Sequence, residues 1–329
     1  MAGRVARLLK ILGIVVGSII GLLIVLSVVN LTMTAVERNH VRAPGHLVSV
    51  NGHRIHVLTV GVGRPNVVLL SGHGNPAPVS DFAPLIEALQ HDFSVTVVEY
   101  PGYGWSDGTK EARTNANIVG ELRAALREAG VLPPYVLVPH SMSGLYTLYY
   151  ASKYPADVLA VIGLDTTVPA QGDYYDSLRL PLLPSFLRVT GLLRLAVTLD
   201  PGLAGHAAAP YTDTERETMR RMIVWNYGNA TMNREFRSVA RNCADLNGVL
   251  FPNTIPVSFV LSEETAEQGP KVIPGFDWIK AHQTLLAPGG KARITLVPGG
   301  HFVYWSNSQQ IAAVVRETIQ AVSHGLSRQ

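Results

Sequence analysis

Three short stretches of this chain carry side chains that could do chemistry together. The first is VPHSMSGLY, residues 138–146, where Ser141 stands between an apolar run and a segment that reads as a helix. A serine on a tight strand-to-helix turn is pushed out of the carboxyl edge of a sheet. There a substrate can reach its hydroxyl, and the helix N-terminus favours negative charge. Such a turn crowds the residues two before and two after the serine, here Pro139 and Ser143. Ser143 is compact, and Pro139, which has no N–H, is tolerable at a strand end. Taken alone, the stretch also fits an ordinary serine-rich turn.

A hydroxyl that titrates far above neutrality needs a base, and the oxyanion it generates needs donors. PGGHFVYWS, residues 298–306, puts His301 in a Gly-Gly-His turn after the last apolar run and before the last helical one. SGHGNPAP, residues 71–78, flanks His73 with glycines, so its backbone can approach a reacting carbonyl closely. The backbone N–H groups of His73 and Met142 would then form an oxyanion hole. A nucleophile, a base and two donors make acyl transfer the expected chemistry.

Other chemistries have little to stand on. Cys243 is the only cysteine, so no disulfide forms within the chain, and it reads as a small buried thiol. The G-x-G patterns in residues 71–78 and in PGYGWSDG, residues 101–108, are weak nucleotide signals, and there is no Gly-Lys phosphate loop. No metal and no cofactor is expected. The formal net charge of +3 is modest and forms no basic stripe, which argues against nucleic acid as a partner.

The elements that must position these residues follow an alternating rhythm. HLVSVNGHRIHVLTV, residues 46–60, has period-2 apolar character broken by Asn51-Gly52 and reads as a hairpin. Further strands are expected at 66–72, 94–100, 135–141, 158–166, 255–262 and 292–298. Helices are expected at 81–90, 115–130, 277–287 and 307–322, with another following Ser141. Strands and helices of these lengths imply an α/β protein with a mostly parallel sheet and helices on both faces. From about Pro169 to Phe251 the strands stop and helical patterns take over, which reads as an inserted helical cap.

These motifs, in this order, resemble the α/β-hydrolase fold superfamily in its capped, esterase-like branch. The matching residues are Ser71-Gly72-His73-Gly74, Glu99 through Asp107, Pro139 through Gly144, and Gly299-Gly300-His301-Phe302. Ser71 stands where the family usually has a histidine, Glu99 where it has an aspartate, and both elbow glycines are replaced. The resemblance implies a triad of Ser141, His301 and a carboxylate that holds the histidine in its useful tautomer. At the family's commoner acid position, after residues 255–262, stands Thr265, with Glu263 and Glu264 out of register. Its other position, the end of the preceding core strand, holds Asp165, which is favoured, with Glu264 and Glu263 as alternatives. The family's dehalogenase and epoxide hydrolase chemistries require an aspartate where this chain has Ser141. The implied substrate is a small-molecule ester, and the leucine-rich stretch 174–199 suggests a lipophilic one. A hydrolase-fold ectodomain that binds without catalysing is the rival reading.

Ahead of all this lie 19 uncharged residues, Ile11 to Val29, preceded by Arg4, Arg7 and Lys10. That is close to the ~20 residues a helix needs to cross a bilayer. The run is longer than a typical signal-peptide core, and no good cleavage site follows it. It reads as a signal anchor in contact with the lipid bilayer through residues 11–29, with a cleaved signal as the alternative. The positive flank places the N-terminus in the cytoplasm and the hydrolase domain outside the cell membrane. The expected organisation is residues 1–36 as anchor and short linker, 37–168 and 252–329 as core, and 169–251 as cap.

Overall fold

The chain begins with a single helix, α1 (Ala2–His40), in this computed structural model, which describes residues 2–204, 209–288 and 292–326. Met1 and residues 327–329, the ends of the expected anchor and core segments, lie outside the described residues. Among the described residues, α1 is the one helix long and apolar enough to cross a membrane, and its apolar stretch is not buried against the rest of the protein. The expected anchor and short linker end at residue 36, yet α1 continues to His40. No proline or glycine stands between Thr32 and His40, and the last turns of the helix find partners on α8 and α9.

The strands then assemble in one sheet. β1 (His46–Val50) and β2 (His53–Val60) form the expected hairpin through Asn51 and Gly52, both at positive φ (50° and 82°). β3 (Asn66–Leu70) is followed by the short α2 (Pro78–Asp81) and α3 (Ala83–Leu89), then by β4 (Ser94–Glu99). α4 (Asn115–Glu128), β5 (Tyr135–Pro139), α5 (Ser143–Lys153) and β6 (Val158–Leu164) continue the alternation. Among the described residues the expected insertion holds the α-helices α6 (Gly172–Ser177), α7 (Leu183–Val189), α8 (Leu192–Leu199), α9 (Asp213–Asn226) and α10 (Ala230–Ala244). β7 (Val257–Ser262), α11 (Glu263–Val272), α12 (Trp278–Gln283), β8 (Ala292–Val297) and α13 (Tyr304–Leu326) complete the core.

The eight strands lie in the order β1-β2-β4-β3-β5-β6-β7-β8, antiparallel at β1/β2 and β2/β4 and parallel elsewhere. Central strands bury both faces. Along β5, Tyr135 and Leu137 join one apolar cluster while Val136 and Val138 join the other. β6 divides likewise, with Val161 on one side and Ala160 and Ile162 on the other. One cluster is closed by α4, α5 and α12, the other by α3 and α13. The result is a parallel sheet sandwiched between helical layers.

Two differences from the sequence reading have local causes. Residues 263–272 form α11, which Gly269 and Pro270 conceal in the sequence; Ser262 caps it, its hydroxyl accepting from the Thr265 N–H, with Glu263 and Glu264 in the first turn, where the helix dipole favours them. α13 starts at Tyr304 rather than Asn307, because Asn307 itself is a non-helical kink (φ −118°, ψ 22°) within a continuous run.

A buried ion pair joins the hairpin to the sheet. His56 Nδ1 lies 2.9 Å from Glu99 Oε2, and both side chains are fully buried. Burial alone would lower the pKa of His56, but the Glu99 carboxylate and the Pro44 carbonyl outweigh it and raise it. A histidine with a raised folded-state pKa contributes stability that is complete below its unfolded value of about 6.5 and is lost as pH climbs through the folded value. The thermal midpoint of the wild type should therefore fall more steeply as pH climbs above about 6.5 than that of His56→Gln, in which every other group still titrates. Scanning calorimetry across that range that returned parallel slopes would count against the charged pair.

Candidate active site

β5 ends at Pro139, and the chain turns there in a strained corner. The Ser141 backbone sits at φ 53°, a left-handed conformation that costs a non-glycine residue ~1–3 kcal/mol. Strands on either side hold it there. His140 N–H donates to the Leu70 carbonyl (2.8 Å) and Ser141 N–H to the Leu164 carbonyl (3.1 Å). The Ser141 carbonyl in turn accepts from the N–H groups of Gly144 (2.9 Å) and Thr167 (2.8 Å). α5 departs immediately afterwards, so the Ser141 side chain stands beyond the carboxyl ends of the strands.

Both departures from the usual elbow are accommodated. Pro139 is the last residue of β5; the pairing of β5 with β6 lapses after Leu137 and resumes at His140, which bridges Leu164, so the missing N–H falls in the gap. The fully buried Ser143 hydroxyl donates to the Ser71 carbonyl (2.5 Å) and lies 3.1 Å from the Tyr100 hydroxyl. Gly72 is required by proximity: a Cβ there would lie 2.6 Å from Ser141 Cβ and 3.2 Å from its Oγ.

His301 reaches Ser141 from the turn after β8. Its Nε2 lies 2.8 Å from Ser141 Oγ and its Nδ1 2.7 Å from Asp165 Oδ2. The turn is fixed by the Ser262 hydroxyl donating to the Gly299 carbonyl (2.6 Å) and by His140 Nε2, 3.0 Å from the His301 carbonyl. His140 packs on the His301 ring (centroids 4.7 Å apart), and burial pushes its pKa down to about 3, so it is a neutral wedge.

Asp165, at the end of β6, is completely buried and well supplied with donors. Its Oδ1 accepts from the Ser262 N–H (3.0 Å) and from Trp278 Nε1 (3.0 Å), and its Oδ2 from the Thr265 hydroxyl (2.8 Å). Burial works to raise its pKa, but His301, the Ser262 N–H and the Thr265 hydroxyl prevail and hold it below the usual carboxylate range. Glu263 and Glu264 are exposed in the first turn of α11 and take no part in this cluster. Thr265, at the family's commoner acid position, instead supplies a donor to the acid on the neighbouring strand.

The loop after β3 carries His73 alongside this corner. Among the described residues, no carbonyl accepts from the N–H of His73 or of Met142. The cap touches this loop through Glu235 of α10, which accepts from the hydroxyls of Tyr103 and Tyr146 (2.7 Å each) and lies 3.9 Å from His73 Nδ1. Burial works to raise the pKa of Glu235, but His73, the charge of Arg113 and the Tyr103 hydroxyl bring it below the ordinary value.

Residues 65–308 match the family described as alpha/beta hydrolase fold, which is most of the chain. The chain belongs to the α/β-hydrolase fold family. This α/β hydrolase is 26% identical over 297 residues to the uncharacterized protein YbdG of Bacillus subtilis, covering 85% of this chain and 87% of that one. It is 25% identical to the pimeloyl-[acyl-carrier protein] methyl ester esterase of Stenotrophomonas maltophilia (82% of this chain, 98% of that protein). Among solved structures, an enol-lactonase from Burkholderia xenovorans superposes with a TM-score of 0.58 at 17% identity, over 84% of this chain and all of that one. A putative epoxide hydrolase from Pseudomonas aeruginosa gives 0.63 at 16% identity, over 85% of this chain and 96% of that one.

Sequence reasoning on this α/β hydrolase did not single out His140, Trp278 or Glu235. The first stands beside Ser141 in the quoted motif; the other two are distant in sequence and carry no local signal. A cavity of about 1350 Å³, lined by Val41, Pro44, Val79, Trp105, Arg221 and Trp305 among others, does not include Ser141, His301 or Asp165.

The donors around Asp165 give a stability test that separates it from its rivals. Thr265→Val removes a hydrogen bond to a buried charge and should cost about 1.5–3 kcal/mol. Glu264→Gln alters an exposed side chain and should change stability by less than about 0.5 kcal/mol. Chemical denaturation of both variants measures the contrast, and equal effects would contradict the assignment of the buried carboxylate's partners.

Proposed function

We propose that this protein is a membrane-anchored serine hydrolase that cleaves a lipophilic or small acyl ester through Ser141, His301 and Asp165. The observation that carries the reading is the 2.8 Å approach of His301 Nε2 to Ser141 Oγ, with the opposite ring nitrogen 2.7 Å from a buried carboxylate. In that arrangement Asp165 accepts from Nδ1–H, which leaves Nε2 free to take the serine proton. As the proton moves, Oγ bonds to the acyl carbon and the carbonyl π pair moves onto oxygen. The N–H groups of His73 and Met142 receive that oxyanion. His301 then returns the proton to the departing alkoxide as the ester bond breaks. Water, deprotonated by the same nitrogen, releases the acyl group from Ser141.

The match to a methyl ester esterase supports the ester class, and the serine at position 141 disfavours the aspartate-dependent chemistry of epoxide hydrolases. The apolar residues 11–29 of α1 are the anchor, with the basic N-terminal flank on the cytoplasmic side and the hydrolase domain outside. Residues 1–36 form the anchor segment, 37–168 and 252–329 the catalytic core and 169–251 the cap. No nucleic acid, metal or cofactor enters the scheme.

A fluorophosphonate probe should label the wild type and leave Ser141→Ala unlabelled. Asp165→Asn should fall in kcat toward short p-nitrophenyl esters by on the order of 10⁴-fold, because the histidine then favours the wrong tautomer. Folded wild-type protein that takes up no probe would leave a binding ectodomain as the better account. Full-length protein should stay in the membrane fraction through alkaline carbonate extraction, and its appearance in the supernatant would remove the anchor.

A further inference from the structure

The cap is not merely tethered to α1; it is clamped to it at a defined height. Asn30, which is buried, donates its side-chain amide to the Arg188 carbonyl at the end of α7 (2.9 Å) and accepts from Arg194 Nε of α8 (2.9 Å). The same guanidinium reaches Thr34 (2.9 Å) and both oxygens of Glu37 (2.6 and 2.9 Å), and Glu37 also accepts from Trp225 Nε1 of α9 (2.7 Å). Between α7 and α8, Gly191 sits so close that a Cβ would lie 2.7 Å from the Leu26 carbonyl and 3.0 Å from Asn30 Cβ. Leu26 belongs to the apolar stretch Ile11 to Val29, which ends where Asn30 brings in an amide side chain. At 1.5 Å rise per residue, the α7–α8 turn therefore lies about 4–5 Å below the end of that run.

The outer faces of the two helices are apolar where a soluble cap would be polar. On α7, Leu183, Phe186 and Val189 are exposed (63%, 49% and 51%) at a spacing that puts them on one side. On α8, Leu193 and Val197 point inward and are buried, while Leu195 and Leu199 point outward (44% and 77% exposed). Leu182 and Leu203 extend the patch (65% and 55% exposed). A helix that is apolar on both faces needs cover on both. This uncovered face is continuous, through Gly191 and Arg188, with a helix whose own uncovered surface is hydrocarbon-facing.

We propose that the α7–α8 hairpin of the cap lies in the interfacial layer of the bilayer that α1 spans, with Leu182, Leu183, Phe186, Val189 and Leu199 in contact with lipid. This rests on the reading of α1 as the anchor. The occupant is the lipid interface because the spanning run fixes the patch at the depth where that interface lies, and helices of this kind bury their apolar face ~5–10 Å into it. The cap is thereby held against the membrane.

The test places a fluorophore by cysteine chemistry, which the chain suits because its one cysteine, Cys243, is buried. Full-length Phe186→Cys, Val16→Cys and Leu132→Cys proteins are labelled with a nitrobenzoxadiazole maleimide and reconstituted in phosphatidylcholine vesicles. A fraction of the lipid carries a nitroxide high on the acyl chain. Leu132 is exposed before β5, at the opposite edge of the sheet from the cap. The label at Phe186→Cys should be quenched about two-fold or more, as for a group ~5–10 Å deep, and that at Leu132→Cys not at all. Quenching at Val16→Cys with none at Phe186→Cys overturns the docking and leaves the anchor intact, and dimer-dependent self-quenching at Phe186→Cys would assign the face to a second copy instead. No quenching at Val16→Cys overturns the anchor and the docking together.

Discussion

The geometry of the candidate site depends on one strained residue held in place by its neighbours. Ser141 is held in a left-handed backbone conformation by the carbonyls of Leu70 and Leu164, at the ends of β3 and β6, which capture the N–H groups of His140 and Ser141. A serine in a free chain would not stay there, since the conformation costs ~1–3 kcal/mol. Once the corner is formed, other choices follow from it. Position 72 has no room for a side chain, and position 143 needs a small group whose hydroxyl can be satisfied, which Ser71 and Tyr100 provide. Pro139 is tolerated because it falls in a gap in the pairing of β5 with β6.

Much of the fold is legible in the sequence because the sheet is covered on both sides. Runs such as NVVLL and YVLVP must be almost wholly apolar, and the turns between strand and helix concentrate the glycines and the reactive side chains. Ser141 and His301 therefore stand out by position. The elements that escaped recognition are those whose stability comes from outside themselves. α11 contains Gly269 and Pro270 and is secured by its cap at Ser262, and the last turns of α1 are held by contacts to residues more than 150 positions away. No local periodicity reports such contacts.

Asp165 shows the same limit at the level of a single side chain. In sequence it competes with Glu263 and Glu264, since a carboxylate at either strand end could in principle meet the imidazole. What separates them is the set of donors: the Ser262 N–H, the Thr265 hydroxyl, Trp278 Nε1 and His301 all converge on Asp165 and come from three places in the chain. A buried carboxylate so surrounded stays ionised, which is what an acid partner to histidine requires. The glutamates sit in solvent at a helix N-terminus, where their charge serves the helix. The threonine at the neighbouring strand end keeps a structural tie to the acid.

The clamp between α1 and the cap extends that logic to the whole chain. Arg38 of α1 donates to the Asn226 side-chain carbonyl (2.9 Å) and lies over the Trp225 ring (5.0 Å). Asn226, itself buried, spends its amide on the carbonyls of Gly104 (2.8 Å) and Pro76 (3.2 Å), in the loops that follow β4 and β3. One side chain thus ties together the N-terminal helix, the cap and the loop that carries His73. A buried amide with three partners has no alternative arrangement that satisfies it equally. Arg38 at the end of α1, the helix α9 and the loops after β3 and β4 are thus joined through one side chain, which adds to the contacts that Asn30 and Glu37 make with α7, α8 and α9.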